Sequence, residues 1–273
     1  MESDARKPLI DFRDTAAMGL RKPFLIAHRG GVITPDSPEN TLAAIRLAAR
    51  CGYNMVELDV IKPKDDEPVL FHDRTGSLLM NCGVDAPLVA YTAKELTAIN
   101  YRASAQPIAT LAQALALCRQ LALGVMLDVK ERGSSEVTPG FVRRIEALLR
   151  EYDLFAATIA ISGHPLLRES LDGRIRFPIT ETDLQALLRD GRPPSHGAFW
   201  FGIPEELPEA LIAPMQNAGL LVIPAINTFR YPPHAHAALA RADIERLRRL
   251  GADGFQIDSV YGALFGLDLE HPA

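Results

Sequence analysis

Eight short, β-rich apolar runs punctuate the chain at residues 24–27, 55–60, 124–129, 158–162, 175–179, 198–202, 220–225 and 254–257, with helical patterns between several of them. That alternation is the mark of βαβ units laid on a parallel sheet. Runs such as GVMLDV and LVIPAI are apolar almost from end to end, as strands covered on both faces are. A closed barrel of eight such units takes about 250 residues, and this chain has 273. The expectation is an α/β fold, a (β/α)8 TIM barrel forming a single domain over residues 1–273.

Helix signals refine the map. The first helix is expected over 37–50, with Ser37 as N-cap, Pro38 at the first helical position, Leu42, Ile45 and Ala49 on one face, and Gly52 as the stop. Thr110 is placed to cap a second helix, FVRRIEALLREY follows Pro139, and ADIERLRRL leads to Gly251 before the last strand. The connection from Asp73 to Ala109 is far too long for a plain crossover, and long connections in compact domains usually carry function. Residues 74–109 are therefore expected to form a small insertion over the active-site mouth, with a short helix near 92–99, while 1–22 reads as a polar leader covering or preceding the first strand. The stretch 190–195 reads as an ordinary loop.

Composition removes several function classes. A formal charge of −5 argues against nucleic-acid binding driven by a basic face, yet a few local cations suffice for one phosphate ester. Cys51, Cys82 and Cys118 are too scattered for a disulfide framework or a zinc cluster and read as free thiols in a reducing compartment. The N-terminal segment lacks an apolar signal core, and no run approaches the ~18 apolar residues of a membrane span. A soluble cytoplasmic enzyme without stable membrane insertion is the expectation; the oligomeric state is open.

The chemistry concentrates at the ends of apolar runs. Glu57 and Asp59, two apart on a strand, share a face. Two like charges there need a cation or a proton, and carboxylate oxygens suit Mg²⁺ or Ca²⁺. The alternative, surface carboxylates on an edge strand, sits poorly with their apolar neighbours Met55, Val56, Leu58 and Val60. Asp128 and Lys130 repeat the spacing, offering a third oxygen ligand and a cation for a phosphate oxygen or developing alkoxide; an internal ion pair is the plainer reading. His28 and Arg29 close the first run, where the guanidinium can fork onto a phosphate and Gly30-Gly31 lets the backbone turn tightly. His72 ends PVLFHD, so two imidazoles flank the acidic strand and could act as general base and general acid about a phosphorus centre. Asp73 either orients its neighbour or caps the turn. Glu39, Asn40, His164, Glu181 and Asn227 are weaker candidates, His196, His234, His236 and His271 read as solvated, and Trp200 reads as core or barrel lining.

Taken in order, HRG, PENT, ELDV, HD, PIATL and LDVK resemble the glycerophosphodiester phosphodiesterases, densely to Asp73 and thinly after Lys130. The resemblance implies a β/α barrel with a small insertion after the HD strand. It further implies that His28 and His72 are the acid/base pair and that Glu57, Asp59 and Asp128 hold one divalent cation, Mg²⁺ or Ca²⁺. Arg29 and Lys130 would contact phosphate, with Glu39 and Asn227 supporting the substrate. Three departures stand out: Asp128 where the family usually has glutamate, PAINT where a tryptophan usually precedes the asparagine, and a long GVITPDS loop. The implied activity is hydrolysis of a glycerophosphodiester, a small-molecule substrate, to glycerol 3-phosphate and an alcohol. The alternatives are a diesterase for a lysophospholipid or sugar phosphodiester, a non-catalytic phosphodiester-binding barrel, and a metal-dependent aldolase or lyase.

Overall fold

Nine strands join in one sheet in the computed structural model, which describes residues 9–14, 18, 22–74, 76–131, 136–194, 197–207 and 209–269. In chain order they are β1 (Phe24–Ala27), β2 (Met55–Ile61), β3 (Val69–Leu70), β4 (Gly124–Val129), β5 (Thr158–Ala160), β6 (Phe177–Pro178), β7 (Ala198–Gly202), β8 (Leu221–Ile226) and β9 (Gly254–Ile257). All pair in parallel except β3, which lies antiparallel on the end of β2 through Val60 and Leu70. Round the ring the order is β5-β4-β2-β1-β9-β8-β7-β6. A parallel bridge between Ile159 and Arg176, with the Ala160 N–H donating to the Arg176 carbonyl at 3.0 Å, joins the two ends. The eight apolar runs thus form the expected barrel. β5 and β6 are shorter than their runs, and Pro178 lacks the N–H that would extend the second of them.

The helices are α1 (Leu42–Cys51), α2 (Ser77–Cys82), α3 (Ala93–Leu96), α4 (Leu111–Leu121), α5 (Pro139–Glu151), α6 (Pro165–Leu171), α7 (Glu181–Asp190), α8 (Glu209–Asn217) and α9 (His236–Arg249). Thr110 and Gln113 form a capping box at α4, Thr138 caps α5 with Pro139 in its first turn, and Gly251 follows α9 with φ 81°. The first helix corrects the sequence expectation: it begins at Leu42, and its cap is Thr41, whose hydroxyl accepts from the Ala44 N–H. Ser37 instead pairs with Thr34 in a tight turn, its N–H donating to the Thr34 carbonyl at 3.1 Å. Residues 38–40 stay out of the helix because Asn40 takes a left-handed conformation, φ 60°, that a helix cannot use.

The leader is less polar in role than its charges suggest. Ile10 and Phe12 are buried in the barrel core, and the Phe12 ring stands edge-on to Phe24 with centroids 5.7 Å apart. Most of 1–22, together with Ser195, His196 and His271, lies outside the described residues.

Between β3 and β4 the chain makes an excursion with its own small apolar cluster, in which Leu78, Leu88, Leu96, Tyr101 and Ile108 pack on Ile61, Val69 and Phe71. It leaves and returns at one place: the Leu70 N–H donates to the Ala109 carbonyl and the Leu111 N–H to the Pro68 carbonyl, each at 2.8 Å. Thr92 and Glu95 form the capping box of α3, inside the range expected for a short helix, whereas α2 had no sequence signal strong enough to mark it. Among the described residues no helix is long and apolar enough to cross a membrane.

Candidate active site

The registers of β1, β2, β4 and β9 bring polar residues together at the C-terminal end of the barrel. Asp59 lies opposite Asp128 across the β2–β4 ladder, with Glu57 one inward position below. Oxygen atoms of Glu57, Asp59 and Asp128 all lie within 4.8 Å of one another. Glu57 and Asp59 are fully buried. Glu57 accepts the Arg29 backbone N–H at 2.7 Å. Asp59 accepts the Asn40 side-chain Nδ2–H at 2.7 Å and donates its own backbone N–H to the Asn40 side-chain Oδ1 at 3.1 Å. The Lys130 ammonium spans the remaining two, 2.8 Å from Asp59 and in direct contact with Asp128.

Three carboxylates against one ammonium leave a formal charge of −2 in a buried place. Burial, then the charges of Asp59 and Asp128, push the Glu57 carboxyl well above the usual range. Burial also raises Asp128, with Lys130 opposing it. Asp59 ends lower than usual, because Lys130, His72 and the Lys130 and Asn40 hydrogen bonds outweigh its burial. Lys130 is held charged: burial disfavours the ammonium, and the three carboxylates more than restore it. A hard divalent cation fits this donor set in charge, ligand type and spacing.

The HRGG and PENT segments are two halves of one backbone contact. Arg29 adopts φ 53°, ψ 48°, and its carbonyl accepts the Asn40 N–H at 2.7 Å. A side chain at Gly30 would put Cβ 2.7 Å from the Asn40 Cα, and one at Gly31 would put it 2.2 Å from the Ala44 carbonyl oxygen. Only glycine lets the loop lie this flat on α1. The contact aims Arg29 inward, where its Nη1 donates to Glu39 at 2.9 Å, while its buried Nε has no hydrogen-bond partner among the described residues.

His28 follows β1, and the pairing of Ala27 with Ile257 sets it beside Asp258. Its Nδ1 lies 2.5 Å from an Asp258 oxygen and 3.1 Å from the Asn227 amide nitrogen. The other Asp258 oxygen accepts the Thr228 N–H at 2.6 Å and hydroxyl at 2.8 Å. Burial raises the Asp258 carboxyl, but the His28 hydrogen bond and charge, then Thr228, bring it down to about 2. His72 is buried two residues beyond β3, with its Nδ1 4.0 Å from Glu39. Burial lowers its imidazole to about 4; Asp59 opposes, and Arg29, Lys130 and Arg74 reinforce the fall. His72 is therefore neutral at pH 7.

These groups line a cavity of about 260 Å³. His28, Arg29, His72, Asp128 and Lys130 form its ionic floor, Ile161, Phe201 and Phe229 an apolar wall, and Arg74 and Arg230 its outer lining. The structure thus brings His28, Arg29, Glu39, Glu57, Asp59, His72, Asp128, Lys130 and Asn227 into one neighbourhood. The weaker candidates separate. His164 caps α6 through its Nδ1 and meets Glu131, Glu181 is an exposed residue of α7 bonded to Gln185, and Asp73 accepts the Ser77 hydroxyl as a turn cap. Trp200 is buried in the core. His234 is exposed, but His236 is half-buried with its Nδ1 3.1 Å from the Tyr261 hydroxyl.

Two partners escaped the sequence reading. Asp258 carries no local motif, although a charged residue closing an apolar strand, as in QIDS, is the same signal that marked Asp128 and His72. Asn40 stood beside Glu39 as a minor candidate, yet it clamps Asp59 from both sides.

A family model described as the glycerophosphoryl diester phosphodiesterase family matches residues 28–161. Glycerophosphodiester phosphodiesterase 1 of Homo sapiens is 41% identical over 111 residues, covering 38% of this chain and 33% of that protein. The Bos taurus protein of the same name is 41% identical over 124 residues, covering 42% and 37%. The chain spans about a third of the length of these curated relatives. Among solved structures, a glycerophosphoryl diester phosphodiesterase from Parabacteroides distasonis superposes with a TM-score of 0.69 at 19% identity, over 96% of this chain and 94% of that one. An Oleispira antarctica phosphodiesterase in complex with the product sn-glycerol-3-phosphate gives 0.67 at 20% identity, over 89% and 97%. At such identities the likeness establishes the barrel fold.

Proposed function

We propose, from the match of residues 28–161 to the glycerophosphoryl diester phosphodiesterase family, that the chain hydrolyses glycerophosphodiesters to glycerol 3-phosphate and an alcohol with the help of one divalent cation. The observation that carries this reading is the meeting, at one cavity, of Asp128 backed by Glu57 and Asp59, a carboxylate-backed His28, a neutral His72 and an inward Arg29.

Glu57, Asp59 and Asp128 would hold Mg²⁺ or Ca²⁺, which when bound withdraws charge from the phosphoryl oxygens. Arg29, steadied by Glu39, donates to a non-bridging oxygen, and Lys130 offers its ammonium from the opposite side. Asp258 fixes the Nδ1 of His28 and so orients the ring, which suits His28 to pass a proton to the leaving alcohol oxygen. His72, kept neutral, suits the removal of a proton from the nucleophile, either a water or the glycerol 2-hydroxyl, the latter giving a cyclic phosphate that a water then opens to glycerol 3-phosphate. The bond from phosphorus to the alcohol oxygen breaks as the new phosphorus–oxygen bond forms. Asn227 lines the cavity beside His28 and would border the substrate. The paired imidazoles speak against a barrel that binds diesters without cleaving them.

The test is a screen of glycerophosphocholine, glycerophosphoethanolamine and lysophosphatidylcholine with Mg²⁺, Ca²⁺ or EDTA. Alcohol release that EDTA abolishes is expected, with His28→Ala and His72→Ala each reduced at least ~100-fold while remaining folded. Absence of release from every diester with every cation would overturn the reading, and near-normal turnover in either variant would remove that histidine from its role.

A further inference from the structure

The charges around the cavity do not balance for a simple substrate. Within the floor, Arg29 is answered by Glu39, and Lys130 by Asp59 and Asp128. The acidic trio's remaining charge matches one divalent cation. What is left over is Arg74 and Arg230, which line the same cavity from the loops after β3 and β8. Both are exposed, and neither is ion-paired with a described residue. Arg74 lies near enough to His72 for its charge to disfavour the imidazolium. Arg230 stacks on Phe229, its guanidinium carbon 5.0 Å from the ring centroid, and that ring in turn lies 6.4 Å from the His28 ring. Both cations thus line the cavity together with the two histidines.

With a divalent cation bound the floor is neutral, so a phosphodiester's one negative charge answers only one of the two outer arginines and leaves the other unmatched. The outer lining is also the wrong chemistry for a cationic alcohol such as choline. One face of Phe229 is already taken by the Arg230 guanidinium, and Asp128 is the only carboxylate among the described lining residues. The nearby acidic groups are engaged elsewhere: Asp73 with Ser77, Glu131 with His164, and Asp258 with His28 and Thr228.

From this juxtaposition we propose that the preferred diester carries a second negative charge, a carboxylate or a phosphate, on its alcohol half, held by Arg74 and Arg230. The proposal rests on the reading in the preceding section and narrows its substrate class. Planar guanidinium groups suit either anion.

The experiment compares matched substrates. Glycerophosphoserine differs from glycerophosphoethanolamine by one carboxylate, and a glycerophosphoinositol monophosphate differs from glycerophosphoinositol by one phosphate, so the two arms tell the anions apart. In at least one arm kcat/KM is expected to favour the more anionic member by about fivefold or more, since exposed charge pairs are individually weak. The preference should shrink as salt rises from 20 to 500 mM. Arg74→Gln combined with Arg230→Gln should lower kcat/KM for the anionic member several-fold more than for its partner, and Arg230→Lys should keep part of the preference. A ratio near one in both arms, glycerophosphocholine as the best substrate, or an equal loss on both members in the double variant would overturn the proposal; the last outcome would place the arginines on the shared phosphate. In all three cases diester cleavage persists and the parent reading stands. No cleavage of any diester would overturn both.

Discussion

At the scale of single residues, the proposed proton delivery would depend on the His28–Asp258 contact. A carboxylate that orients an imidazole and is itself held by two further donors is a typical outer partner of catalytic groups, and removing such a partner costs about 10–100-fold. Asp258→Asn is expected to lower kcat by that factor with little change in KM, measured on whichever diester the screen identifies. His72 makes a prediction of the opposite kind, about stability. Its imidazole titrates near 4 in the folded chain and near 6.5 when unfolded, so below 6.5 the unfolded chain takes up a proton that the folded chain refuses. The stabilising contribution is complete above pH 6.5 and is lost as pH falls toward 4. Melting temperatures followed from pH 8 to 4 should decline, and His72→Asn should flatten that part of the curve; an unchanged slope would place the titration elsewhere.

At the scale of elements, the barrel strands were legible because each is an apolar run, and those that build the site have a polar residue at or just beyond the C-terminal end. The spacing of Glu57 and Asp59 fixed their common face before any coordinates. The start of α1 was not legible, since Ser-Pro followed by Glu reads locally as a helix start. Its conformation is set from outside, by the Arg29 carbonyl on the Asn40 N–H and by Asp59 on the Asn40 side chain. Asp258 was hidden for the same reason: it meets His28 only because β9 closes the ring onto β1, a pairing that no local pattern encodes. α8 was obscured by Pro214 within it. The close approach of the first loop to α1 can be tested at Gly31, where φ is 146° and a Cβ would sit 2.2 Å from a backbone oxygen. Gly31→Ala is expected to cost roughly 2–4 kcal/mol in urea unfolding, the range for strain combined with overpacking. A wild-type melt would mean that the loop and helix are not pressed together.

At the scale of the whole molecule, an acidic chain of formal charge −5 gathers three carboxylates at one end of its barrel. Relieving that repulsion should show in global stability as well as in turnover. Saturating Mg²⁺ or Ca²⁺ is expected to raise the melting temperature, with about 2.7 kcal/mol gained at a hundredfold excess over the dissociation constant. Glu57→Gln should abolish the rise, and a melting temperature indifferent to both cations would count against a resident ion. A last consequence follows from the excursion after β3, which departs and comes back across the same pair of backbone hydrogen bonds at Leu70 and Leu111. Its two ends meet like the rim of a socket. A segment of another length or sequence could be spliced there without altering the order of the staves, so new selectivity could be acquired while the reaction machinery is inherited intact.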